Sequence, residues 1–147
     1  MIMQATIIKL NPREKYSTVS LHEVVSVLAD SLSIAAVSKK SFILNDVPEH
    51  IVIQTDPEMV ESALGKLLSM VIRHTENSCI RITAKIFGNV VLLHIKDDGC
   101  LCYDSMSENL DNIQSLAERM GGYVGFTSFR NKLTTIALSF VNAKQAA

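Results

Sequence analysis

Several residue clusters in this chain are of types that do chemistry. Asp97-Asp98-Gly99 closes an apolar run and offers two carboxylates beside a glycine, which lets backbone pass close to a ligand. The same triplet also suits an ordinary strand-ending turn, because Asp and Gly are favoured there regardless of function. In the stretch Met59 to Thr75, MVESALGKLLSMVIRHT, the chemically interesting side chains are Lys66, Met70, Arg73 and His74. A lysine cannot take a proton at neutral pH unless burial depresses its pKa, and a thioether is a poor ligand for a hard cation. His74 ends a predicted helix, where a cation suits the dipole. Cys100 and Cys102 are two thiols with no partner cluster, and His22-Glu23 lies inside SLHE, a string that reads as a capping box. None of these is assigned as a catalytic residue or a metal ligand.

The elements that must position these residues can be read from periodicity. Met3 to Leu10 reads as a short first strand broken by Asn11-Pro12. Ser20 caps a helix whose apolar stripe is Leu21, Val24, Val25, Leu28, Leu32 and Ala35. Phe42 to Leu44 and Ile51 to Gln54 read as short strands around a Pro48 turn, and Asp56-Pro57 starts a second helix. In that helix Val60, Ala63, Leu64, Leu67, Leu68, Val71 and Ile72 recur at helical steps and lay one face on a sheet. Ile80 to Ile86, a Gly88-Asn89 turn and Val90 to Ile95 form a hairpin. A third helix is expected from about Glu108 to Met120, capped by Ser107, with Leu110, Ile113, Leu116, Ala117 and Met120 inward and Gly121-Gly122 as a left-handed stop. Tyr123 to Phe129 and Leu133 to Phe140 make a last hairpin across Arg130-Asn131, and the tail after Val141 is expected to fray.

This order predicts an α+β fold: a two-layer α/β sandwich with a mixed, mostly antiparallel sheet and three helices on one face. With 147 residues, 48% of them hydrophobic, one domain over 1–147 with its core at about 19–141 is expected. Fourteen basic residues against 15 acidic ones favour neither nucleic acid nor an anionic membrane as partner. Three cysteines without framework spacing, and no export signal, point to a reducing cytoplasm.

The Asp56-Pro57 helix start, LLSMVIRHT, the strand ending in IKDDG, and MGGYVGFTS before a final hairpin occur in the order of a known family. Over about residues 19–140 the chain resembles the ATP-binding domain of sensor histidine kinases, part of the GHKL or Bergerat-fold ATPases. The resemblance implies that an Asn holding the phosphate-bridging magnesium falls at Met70, and that the superfamily's general base or a kinase Asn falls at Lys66. It places the adenine-binding carboxylate at Asp97, the close-approach glycine at Gly99, and the threonine supporting that contact at Thr134. Arg73 completes the nucleotide-binding set. The second glycine of the family's DxGxG pattern is Leu101 here. Gly99 and Gly121 are only 22 positions apart, and no glycine lies between Cys100 and Asn109. The family's Gly-rich phosphate loop is therefore expected to be missing, with Glu108 and Asp111 standing where a triphosphate would be repelled.

The resemblance then implies a degenerate histidine-kinase-like ATPase domain without hydrolysis or kinase activity, a vestigial nucleotide pocket and no expected cofactor. Its role would be a regulatory or docking module in bacterial two-component signalling, with another signalling protein as partner: a kinase, a phosphotransfer protein or a response regulator. The alternative is an atypical kinase catalytic domain that binds ATP and magnesium through Asp97, Gly99, Thr134 and Arg73, with Asp98 or Glu61 as a replacement metal ligand. It would phosphorylate a histidine in trans. A phosphotransfer-type adaptor would need a helical hairpin ahead of residue 1.

Overall fold

Ser20 marks the first change of secondary structure in the computed structural model, which describes residues 17–101, 103–129 and 132–142. Its hydroxyl accepts a hydrogen bond from the Glu23 amide at 3.3 Å, capping α1 (Leu21–Ser31) as the capping box predicts. The four residues before it, Ser17–Ser20, form β1, an element that the sequence pattern does not announce. The expected strand at Met3 to Leu10 lies outside the described residues. The first helix is also shorter than its stripe implied. It breaks at Leu32 and resumes as α2 (Ser33–Ser38), so Ala36 is buried and Ala35 is exposed. No side chain caps that restart.

β2 (Phe42–Asn45) and β3 (Val52–Thr55) then lead into α3 (Pro57–Arg73). Asp56 caps α3 through a 3.1 Å bond from the Glu58 amide, and Pro57 occupies the first turn, where its missing N–H costs nothing. β4 (Cys79–Phe87) and β5 (Val90–Leu101) form the expected hairpin, with Gly88 at φ +59° supplying the turn. β5 does not stop at the Asp97-Asp98-Gly99 triplet. It runs on to Leu101 with a register irregularity between Lys96 and Leu101, because pairing with β7 outweighs the local turn preference of Asp and Gly.

Helix α4 (Tyr103–Arg119) begins earlier than Glu108, and Ser107 is inside it rather than at its cap. Its other end follows the expectation closely. The Gly121 amide bonds to the Glu118 carbonyl at 3.0 Å and the Gly122 amide to the Ala117 carbonyl at 2.9 Å, a Schellman motif with Gly121 at φ +82°. Gly122 is needed for a different reason: a Cβ there would lie 1.9 Å from the Ser139 carbonyl oxygen. β6 (Val124–Phe129) and β7 (Lys132–Val141) complete the chain.

The strand order is β2-β4-β5-β7-β6, with β2 parallel to β4 and every other pair antiparallel. A separate antiparallel ribbon pairs β1 with β3. Along β4, β5 and β7, Ile80, Ile82, Val91, Leu93, Ile95, Ile136, Leu138 and Phe140 are buried, while Arg81, Lys85 and Lys96 on alternate positions are exposed. That period of two puts one sheet face under the helices and the other in water. Val60, Ala63, Leu64, Leu67, Leu68 and Val71 of α3, with Leu110, Ile113 and Ala117 of α4, close the same core. The ribbon is tied to the main sheet by Asn142, which is buried rather than frayed: its side-chain oxygen accepts from the Gln54 amide at 3.0 Å and its own amide donates to the Asn89 carbonyl at 2.7 Å. The result is the expected two-layer α+β sandwich, with four helical segments among the described residues where three were expected.

Candidate functional site

The face of α3 turned away from its buried stripe carries Ser62, Gly65, Lys66, Ser69 and Arg73. It is recessed between two walls: Leu28, Ser31 and Leu32 at the end of α1, and Asn112 and Ile113 of α4. Together with Met70 these residues line a groove of about 460 Å³. Lys66 is exposed, whereas Met70 has 0% of its surface accessible and is as much core as floor.

Lys66 and Arg73 are the charged residues of this lining, and neither has an ion-pair partner among the described residues. Cations also gather at the end of α3. The Lys39 ammonium donates to the Arg73 carbonyl at 3.1 Å, satisfying one of the open carbonyls of the helix terminus. His74 occupies the C-cap, and its pKa is lowered by burial first, then by Arg73 and Lys39. The chain leaves this end through a hydroxyl network. Thr75 Oγ1 and Ser78 Oγ are 2.7 Å apart, Ser78 Oγ donates to the Glu76 carbonyl, and Ser41 Oγ accepts from the Ser78 amide at 3.0 Å.

A second locus lies at the end of β5. Asp97 is 5% exposed and sits opposite Ile80 of β4. Asp98 Oδ1 accepts from the Cys79 amide at 2.8 Å, so this carboxylate already holds the start of β4. On the other side of β5, Lys96 pairs with Thr135 and Leu101 with Leu133, which sets the backbone of Thr134 beside the irregular stretch containing Gly99. The fold thus gathers Lys66, Met70 and Arg73 into one groove, and brings Asp97, Gly99, Leu101 and Thr134 to one end of two neighbouring strands. Asp97 is not among the residues that line the groove.

Sequence patterning misses the groove walls, since Leu28, Leu32, Asn112 and Ile113 meet only through helix packing. The polar half of its floor was readable: Ser62, Gly65, Lys66, Ser69 and Arg73 recur at helical spacing opposite the apolar stripe. His22 is structural, its Nδ1 lying 2.7 Å from the Val47 carbonyl oxygen. Among the described residues no cluster of three His, Cys, Asp or Glu side chains could hold a metal. Nor is any described helix long and apolar enough to cross a membrane.

No protein-family model matches this sequence, and no curated protein matches it. Solved structures do. The Acinetobacter baumannii histidine kinase AdeS superposes with a TM-score of 0.75 at 15% identity, over 95% of this chain and 71% of that one. The catalytic domain of histidine kinase ThkA, in a nucleotide-free form, gives 0.73 at 13% identity over 86% and 95%. Full-length ShkA, solved in complex with AMPPNP, gives 0.72 at 19% identity over 87% of this chain and 32% of ShkA. At such identities the likeness is one of architecture: this chain has the histidine-kinase-like ATPase fold.

Proposed function

We propose that this domain is a regulatory or docking module of two-component signalling that no longer grips a metal–nucleotide complex. The observation that carries the reading is the passage from β5 to α4. The strand ends at Leu101 and the helix starts at Tyr103, leaving one position where nucleotide-binding relatives place a Gly-rich phosphate loop. The donor set agrees. Met70 offers a buried thioether and Lys66 a cation at the positions where a magnesium complex needs oxygen ligands, so these residues do not suit that ion. Asp98, a candidate replacement ligand, is engaged by the Cys79 amide, and Glu61 is an exposed residue of α3. Losing ligand and loop together should weaken a metal–nucleotide complex by several kcal/mol.

A partner within the signalling machinery fits the fold, since ThkA has been solved in complex with the response regulator TrrA. A second reading, an atypical kinase catalytic domain, draws on Asp97, which is buried at the strand end beside the strand that carries Thr134. Calorimetric and thermal-shift titration of the chain with ATP and ADP, with and without magnesium, separates the two. The module predicts no heat and no shift up to millimolar nucleotide. Micromolar, magnesium-dependent binding overturns it in favour of the kinase.

A further inference from the structure

We infer that the groove over α3 is a docking site for an acidic amphipathic α-helix of a partner protein, an inference that rests on the docking-module reading above. Its floor and both walls are helical. Helices spend their backbone donors and acceptors internally, so an extended peptide laid here would find no ladder to join. A helix arrives with its own backbone satisfied and needs only side-chain contacts.

The lining specifies which side chains those are. Leu28 and Leu32, both half-buried, supply apolar contact, and the small residues Gly65 and Ser69 on the floor let another helix approach closely. Lys66 and Arg73 stand seven residues apart on one helix, a rise of about 10 Å, too far for one phosphate to bridge but matched by two carboxylates two turns apart on an opposing helix. No acidic side chain appears among the described lining residues, and Lys39 extends the positive end beyond Arg73. The complementary ligand therefore has apolar residues at three- and four-residue steps and Asp or Glu at positions seven apart.

The test is a display library of 16-residue helices selected on the full chain, with the Lys66→Glu/Arg73→Glu double variant and Ser69→Trp as counter-targets. The substituted cations are exposed, and circular dichroism checks that each variant is folded. Enriched sequences are expected to carry Asp or Glu seven apart flanking Leu, Met or Phe. They should bind both variants at least tenfold more weakly, lose affinity with rising salt, and shift the amide resonances of Ser31, Gly65, Ser69 and Asn112. The inference is overturned if nothing is enriched, if the enriched helices show no acidic bias, or if both variants bind as well as the parent. It is equally overturned if inorganic tripolyphosphate shifts those resonances and the helices do not, which would mark a small-anion site. Failure here with silent ATP titrations removes the groove assignment alone. Magnesium-dependent ATP binding removes the module reading whatever the helices do.

Discussion

Helices α3 and α4 lie side by side over one sheet, yet they are finished differently. The tail of α4 is closed by main-chain geometry, a Schellman motif at Gly121-Gly122 and a backbone approach that excludes even a methyl group. Further up the helix the Gln114 side chain grips β6, its amide oxygen accepting from the Val124 amide at 2.7 Å while its nitrogen donates to the Val124 carbonyl at 3.2 Å. α3 ends without glycine, at His74, and the part of its outward face that lines the groove is left to small and cationic side chains. One helix is specified by what its backbone must touch, the other by what its surface offers. Structural constraint and binding potential have been separated onto neighbouring elements.

Substitutions can break that contrast or sharpen it. The largest effect is expected for Gly122→Ala, whose Cβ would meet the Ser139 carbonyl oxygen at 1.9 Å and the Ser139 carbonyl carbon at 2.4 Å. Since backbone must move, a loss of about 3 kcal/mol or more is expected in denaturant unfolding. A near-neutral result would show that the α4 tail is not locked. Gln114→Ala should cost roughly 1–3 kcal/mol, because it strips two partners from the half-buried β6 backbone. On α3 the sign reverses. A Cβ at Gly65 would sit 3.5 Å from Leu28 Cδ2, an ordinary contact, so Gly65→Ala should stabilise the chain by about 0.5–1 kcal/mol in the same assay.

The smallest effect is a pH dependence. His74 and His94 both have lowered pKa values, His94 through burial first and then Lys96 and Lys85. The folded chain therefore binds fewer protons than the unfolded one just below the ordinary histidine value of about 6.5. Stability should fall as pH drops from 7 through that range. Thermal melts of a His74→Gln/His94→Gln double variant should show a flatter profile between pH 7 and 6, and an unchanged slope would refute the assignment.

The legible parts of this fold were those decided within a few residues. Ser20 with Glu23, Asp56 with Pro57, Gly88 at its turn and Gly121-Gly122 all act through local hydrogen bonds or local dihedral demands. What escaped was decided by distant partners. β1 is a strand because Ser17 to Ser20 pair with Thr55 to Val52, and β5 continues past Ile95 because β7 lies beside it. The break at Leu32 carries neither Gly nor Pro to announce it. The site divides in the same way. Lys66, Met70 and Arg73 could be put on one helix from sequence, but not the walls that make a groove of it, and the commitment of Asp98 to Cys79 needed the register of β4 against β5.

The break at Leu32 shapes one wall of the groove. Its α4 wall is held at the tail, where the Gly122 backbone lies against Ser139 of β7. The opposite wall contains an uncapped joint between α1 and α2, with Leu32 itself on the lining. Backbone bonds from the Leu32 amide to the Leu28 carbonyl and from the Ala36 amide to the Leu32 carbonyl, both 3.0 Å, bridge that joint. The chain thus changes direction at Leu32 without giving up its ladder, and the half-buried side chain it leaves there becomes part of the groove wall.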